Sequence, residues 1–358
     1  MTKRYASTAS STASSTAAST SPGLRTGAIL AGIGLAASFL YVRAKTRQVE
    51  SEHPPQGRFV EVDGVRLHYL ERGSGPALVL LHGNGVYAED FVHSGLLARA
   101  ARHYRVIAFD RPGFGYSDRP RSTVWTPDRQ AALLHRALAQ LGVESAIVLG
   151  HSWGTMVALA MGLQQPDAVR GLVLLSGYYY PSARFDAALL GPPAIPLLGD
   201  VMRYTVSPLL TRLMWPLLSK QVFAPKRVDT RFQRLPVWMA LRPKQLRASA
   251  AESALMVPAA VSLAKRYAEL KVPAVIFAGT QDRIVDCGHN SERLHERLQD
   301  RPQLSRLELE PGVGHMTHYA DPDRVLAAID EIASQAGEPL HRPTPEAEAL
   351  ARASESGV

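Results

Sequence analysis

The sequence predicts an α/β protein: a mostly parallel, doubly wound sheet with an inserted helical cap, preceded by an N-terminal hydrophobic anchor segment. Three observations carry this expectation. Continuous apolar runs, among them Ala77-Leu78-Val79-Leu80-Leu81, Val106-Ile107-Ala108-Phe109 and Ile147-Val148-Leu149, alternate with helix-compatible stretches. That is the pattern of parallel strands covered on both faces. Between about 181 and 265 the strand-like runs stop, and ten prolines accompany long apolar stretches such as Leu197-Leu198 and Leu217-Leu218. Finally, seventeen uncharged and mostly apolar residues run from Thr26 to Val42.

Taken in order, residues 1–25 are rich in Ser, Thr and Ala without periodicity, and they carry too little apolar surface to order themselves, so a disordered tail is expected. Residues 26–42 approach the length of about 17 to 25 residues that spans a bilayer and are read as a transmembrane anchor. A cleaved signal peptide fits less well, because the leader is long and Val42-Arg43-Ala44 is a poor cleavage site. A transit peptide would suit the serines and the absence of acids, but not an uninterrupted apolar run. Arg43, Lys45 and Arg47 follow the run while only Arg25 directly precedes it, which leans the body toward the cytoplasmic side. Residues 43–57, ending in His53-Pro54-Pro55-Gln56-Gly57, read as a linker.

Arg58 to Val62 and Val65 to Leu70 flank an Asp63-Gly64 turn, a hairpin signal. Buried strands are expected at 77–81, 106–110, 147–149, 169–176 and 274–278, with a further strand at 304–309. Helices are expected near 88–102, 128–142, 289–299 and 323–335, the last opened by Asp321-Pro322. The core is therefore assigned to 58–180 and 266–336, the cap to 181–265 and a flexible tail to 337–358.

Composition narrows the partners. The chain has 358 residues, 46% hydrophobic, and a formal charge of +8. Lys3, Arg4, Arg25, Arg43, Lys45 and Arg47 supply six of those charges before the first acid, Glu50, so the body carries only +2 and no nucleic-acid partner is expected. Cys287 is the sole cysteine, so it forms no internal disulfide, and no residue set has metal-ligand spacing. No cofactor is called for. Asp110 to Ser117 contains a Gly-x-Gly, but Pro112 and the missing third glycine set a dinucleotide site aside. The sequence is silent on oligomeric state.

The stretch that organises the chemistry is Gly150-His151-Ser152-Trp153-Gly154, an apolar strand running through Gly-x-Ser-x-Gly into a helix. An ordinary glycine-rich turn is the plain alternative, and the pentapeptide alone does not separate the two. A serine hydroxyl needs a base to accept its proton, and the base needs a group to fix its tautomer. Gly279-Thr280-Gln281-Asp282 and Gly312-Val313-Gly314-His315 each follow a strand and offer both. His318 is a rival to His315, and Asp286 and Asp186 are rivals to Asp282.

These pieces, with His82-Gly83-Asn84-Gly85 and the Asp110 to Ser117 loop, make the chain from about 58 to 336 resemble the α/β-hydrolase family. The resemblance implies a Ser152–Asp282–His315 triad and an oxyanion hole from the backbone N–H groups of Asn84 and Trp153. It also implies supporting or substrate-lining places for His82, Gly83, His151 and Tyr178. Haloalkane dehalogenases and epoxide hydrolases resemble this chain but place an aspartate where Ser152 stands. Hydrolysis of a carboxylic ester with a small to medium hydrophobic substrate is the first expectation. An amide or carbon–carbon hydrolase on the same triad, or a non-catalytic ligand-binding protein, are the alternatives.

Overall fold

The computed structural model describes residues 22–183, 191–299 and 305–337. Eight strands form one sheet: β1 Arg58–Val62, β2 Val65–Arg72, β3 Ala77–Leu81, β4 Arg105–Phe109, β5 Ala146–His151, β6 Val169–Leu175, β7 Ala274–Gly279 and β8 Ser305–Glu310. Their order is β1-β2-β4-β3-β5-β6-β7-β8. The hairpin strands β1 and β2 are antiparallel, and β4, β3, β5, β6, β7 and β8 are mutually parallel. The hairpin turn places Asp63 at φ 51° and Gly64 at φ 72°, the conformation that Asp-Gly tolerates.

The helices are α1 Pro22–Glu52, α2 Glu89–His93, α3 Leu96–Ala100, α4 Pro127–Gln140, α5 Trp153–Gln164, α6 Leu198–Tyr204, α7 Val206–Phe223, α8 Thr230–Gln233, α9 Val237–Ala240, α10 Pro243–Ala264, α11 Arg293–Leu298, α12 Thr317–Ala320 and α13 Pro322–Gln335. Strand residues alternate between two hydrophobic layers. Val79, Leu81 and Val148 pack with α4 and α5 on one face, whereas Leu78, Leu80 and Leu149 pack with α3 and α13 on the other. This explains the unbroken apolar runs: both faces of each central strand are covered. Helices α6 to α10 lie between β6 and β7, so the insertion begins where a central strand ends. Strand order reverses at β3, and the carboxyl ends of β3 and β5 meet where an open α/β sheet forms its crevice.

Several elements differ from expectation. Helix α1 does not stop at Val42; it continues to Glu52 through residues read as linker, because Val42 and Val49 are buried and Arg242 holds Glu50 at 2.9 Å. Thr26–Glu52 is long and apolar enough, by length and composition, to cross a membrane. The helix near 88–102 is two short helices split by Gly95 at φ 80°. The helix near 289–299 opens with a π-turn over Gly288–Glu292 before α11. Residues 1–21, 184–190 and 338–358, which hold most of the two expected tails and Asp186, lie outside the described residues.

The turn after β5 is closely packed against β3. A Cβ on Gly154 would come within 2.1 Å of the Leu81 carbonyl oxygen, and one on Gly150 within 2.5 Å of the Gly154 oxygen. Gly154→Ala should therefore cost about 3 kcal/mol or more, since the obstruction is backbone and cannot rotate away. Chemical denaturation read by far-UV circular dichroism checks this, and a loss within about 0.5 kcal/mol of zero, as at a typical surface site, would contradict the packing described.

Candidate active site

Ser152 sits between the end of β5 and the start of α5 at φ 51°, ψ −119°. A non-glycine residue at positive φ is strained by about 1–3 kcal/mol and persists only where its surroundings over-determine it. Here the Ser152 N–H donates to the Leu175 carbonyl at 2.8 Å, and the Thr155 N–H and hydroxyl donate back to the Ser152 carbonyl at 3.0 and 2.6 Å. The turn thus lifts a partly exposed hydroxyl out of otherwise buried surroundings.

Asp282 lies in the turn after β7. Its Oδ1 accepts the N–H groups of Ile284 at 2.7 Å and Val285 at 3.1 Å, which leaves Oδ2 facing His315 Nδ1 at 2.7 Å. Both side chains are buried. An ionised carboxylate only accepts, so Nδ1 carries the proton and Nε2 is the free ring nitrogen. The His315 backbone is also held: its N–H donates to the Val222 carbonyl at 3.0 Å, and its own carbonyl lies 3.1 Å from His151 Nε2. Among the described residues no hydrogen bond joins Ser152 Oγ to His315. Such contacts often tighten only when substrate is bound.

The loop after β3 brings His82, Gly83 and Asn84 beside the serine. A Cβ on Gly83 would lie 3.2 Å from that of Ser152. Among the described residues, the backbone N–H groups of Asn84 and Trp153 are not committed to another acceptor. The Asn84 side chain donates to the Ser249 carbonyl and the Ser253 hydroxyl of α10, so the cap is tied to this loop at 3.1 and 3.2 Å. Trp153 itself is fully buried in the main core.

Sequence reasoning missed the device that shapes the loop. Arg111, fully buried, donates to the carbonyls of His82 at 2.8 Å and Gly83 at 3.1 Å, and its N–H donates to His82 Nε2 at 3.0 Å. Glu252 of α10 meets the guanidinium with both oxygens, at 2.5 and 3.0 Å, and Gln130 donates to the same carboxylate at 3.0 Å. Asp110, next in the chain, accepts from the Ala88 and Tyr116 N–H groups at 2.9 Å and lies 2.7 Å from His68. The Asp110 to Ser117 loop is thus a structural clamp.

The rivals fall elsewhere. His318 pairs with Asp90 at 2.9 Å, and Tyr319 donates its hydroxyl to the same carboxylate at 2.9 Å. Asp286 accepts the His289 N–H at 2.6 Å and caps its own turn. Tyr178 packs into the main core with its hydroxyl near Ser182. The fold also brings Asp90, His151 and His318 together, with candidate ligand atoms within 4.8 Å of one another, a grouping no spacing in the sequence displays. Burial keeps two histidines neutral: the His82 pKa is pushed down to about 3, with the Arg111 charge adding to the effect, and His151 is also well below the usual histidine value. Neither carries a positive charge near neutral pH; each keeps the single ring proton of a neutral imidazole.

A family model described as the alpha/beta hydrolase fold matches residues 76–322. Haloalkane dehalogenase 2 of Mycobacterium tuberculosis is 25% identical over 297 residues, covering 78% of this chain and 95% of that protein. Two solved structures share the fold: a bacterial membrane phospholipase A, with TM-score 0.55, 21% identity and coverage of 87% of this chain and 96% of that one, and a thermophilic esterase from Thermogutta terrifontis, with TM-score 0.56, 21% identity and coverage of 78% and 97%.

The two neutral histidines give a signed pH dependence. Between about pH 3 and 6.5 the unfolded chain binds a proton at His82 that the native chain refuses, so stability present above pH 6.5 is lost as pH falls. His82→Gln should make the fall in unfolding free energy shallower by up to about 1.4 kcal/mol per pH unit in that window. Urea unfolding at several pH values measures it, and an unchanged slope would contradict the neutral buried state.

Proposed function

Because the chain belongs to the α/β-hydrolase fold family, we propose that it is a serine hydrolase with Ser152, His315 and Asp282 as its triad, acting on carboxylic esters of small to medium hydrophobic substrates. The observation that carries this is the pairing of a serine held on a strained strand-to-helix turn with a buried Asp282–His315 pair whose Nε2 is free.

In the proposed cycle His315 Nε2 takes the Ser152 proton as Oγ attacks the ester carbonyl. The oxyanion is met by the Asn84 and Trp153 N–H groups. His315 then gives its proton to the leaving alcohol as the carbon–oxygen bond breaks, and the acyl group stays on Ser152. Water, deprotonated by His315, releases the acid and restores the hydroxyl. Asp282 stabilises the imidazolium in both halves, and its two backbone N–H contacts fix its orientation.

The serine also argues against dehalogenation and epoxide opening at this site. Displacement at a saturated carbon by a carboxylate leaves an ester that water can cleave. The same displacement by a serine hydroxyl leaves an ether, which has no carbonyl for water to attack, and turnover stops. An acyl carbon avoids this dead end.

We further propose that α1 anchors the protein as a single membrane span over residues 26–42, with the body on the cytoplasmic side. Support for the span is the length and apolar exposure of Thr26–Glu52, and support for the orientation is the Arg43, Lys45 and Arg47 cluster just after the apolar run.

Ser152→Ala should lower turnover of p-nitrophenyl butyrate by about 10³-fold or more while leaving the circular dichroism spectrum unchanged, and Asp282→Asn by about 10³- to 10⁴-fold. A fluorophosphonate should modify Ser152 in the native protein. Retained turnover in the alanine variant, or an unlabelled Ser152 in folded protein, would refute the assignment.

A further inference from the structure

Helix α7 presents an apolar stripe to solvent in addition to the apolar side chains, such as Phe223, that it buries. Val206, Leu210, Leu213 and Leu217 recur at intervals of four, three and four residues and so share one face, and they are 50 to 79% exposed. The buried positions of the same helix are Ser207, Pro208, Ser219 and Phe223, so none of its leucines is among them. An amphipathic helix normally turns its apolar stripe to the core. The exposed apolar surface continues past α7 onto Leu197, Leu198 and Val201 at α6. A contiguous apolar face of this kind on a soluble protein marks an interaction site.

Its neighbour indicates the partner. The Ser38 hydroxyl of α1 donates to the Thr205 carbonyl, between α6 and α7, at 2.8 Å. The Phe39 ring lies 5.9 Å from Tyr204, and the Tyr41 ring 5.9 Å from Trp238 of α9. Earlier in α1, Ile29, Leu30 and Ile33 are exposed. If residues 26–42 span a bilayer, residues 38–41 still lie within about 6 Å of its boundary at 1.5 Å per residue. The cap residues that touch them must lie at the same depth. Charge agrees: Arg212 and Lys220 are the only charged side chains of α7, both exposed, and Lys226 and Arg227 follow it.

From this geometry we propose that the outward face of α6 and α7 is a bilayer-docking surface, which seats the cap in an anionic lipid leaflet beside α1. The proposal rests on α1 being the anchor. The apolar stripe meets the acyl boundary and the basic side chains meet the lipid phosphates. The last turn of α7 also carries Val222, whose carbonyl holds the His315 N–H. The docked surface and the site are therefore continuous through one helix, and the substrate class that fits is an ester partitioned into the membrane.

The test uses the full chain in vesicles of phosphatidylcholine and phosphatidylglycerol. A fluorophore is placed at Leu213→Cys in a Cys287→Ser background, with Glu144→Cys, in an exposed turn before β5, as the control. Flotation with the vesicles reads α1, and turnover of soluble p-nitrophenyl butyrate reads the active site, so failure of either earlier proposal is seen separately. The expected result is that lipid-borne quenchers reach position 213 and not 144, while aqueous iodide does the reverse. A floated, active protein whose position 213 is quenched by iodide overturns the proposal. So does a position 213 shielded from both quenchers, which would mean that another copy of the chain covers it. The triple variant Leu210→Ser, Leu213→Ser, Leu217→Ser should slow hydrolysis of a vesicle-embedded ester about tenfold while soluble-ester turnover stays within about twofold. Equal effects on both substrates would also overturn it.

Discussion

Everything in this molecule's chemistry depends on one backbone constraint, the positive φ of Ser152. A serine does not adopt that conformation unaided. It is imposed by the Leu175 carbonyl on one side, by Thr155 on the other, and by close backbone packing: the end of β3 leaves no room for a side chain at Gly154, and the Gly154–Thr155 backbone leaves none at Gly150. Because β3, β5, β6 and β7 are parallel, their carboxyl ends share one edge of the sheet. The loops carrying Asn84, Ser152 and Asp282 therefore emerge together, and His315 joins them after β8. The sheet accounts for convergence; the strained turn accounts for the exposure of the hydroxyl.

A second constraint joins the cap to this edge. Arg111 and Glu252 are both fully buried and face each other with paired contacts. A buried ion pair of this kind contributes little net stability, because desolvation offsets much of its attraction, but leaving either partner alone is costly. The pair therefore acts as a registration device: the guanidinium holds the carbonyls of His82 and Gly83 while the carboxylate comes from α10. Asn84 adds a direct contact to the same helix. The position of the cap and the shape of the loop after β3 are thus set by one set of contacts.

How much of this was legible before folding follows from range in the chain. The central strands were readable because burial on both faces writes continuous apolar runs, and the proposed site residues Ser152 and Asp282 each follow such a run at a glycine-rich turn, whereas His315 follows the mixed strand β8 and is marked by its Gly-His turn. Arg111 and Glu252 are 141 residues apart, and Asp90 and His318 are 228 apart, with no local pattern marking either pair. The end of α1 was misjudged for the same reason. Hydropathy changes at Arg43, but the helix continues because Val49 packs with Met239 and Leu235 of the cap, a contact no window of sequence contains. Gly95 broke the expected helix near 88–102 because its left-handed conformation starts a new one.

The most direct measurement is the identity of the residue that carries the acyl group during turnover. Rapid quenching of the full-length protein with p-nitrophenyl acetate, followed by peptide mass spectrometry, should find one acetyl group on Ser152 that forms with the burst of p-nitrophenol and decays at the steady-state rate. Turnover with no acetyl on Ser152, or with the acetyl on another side chain, would contradict the account.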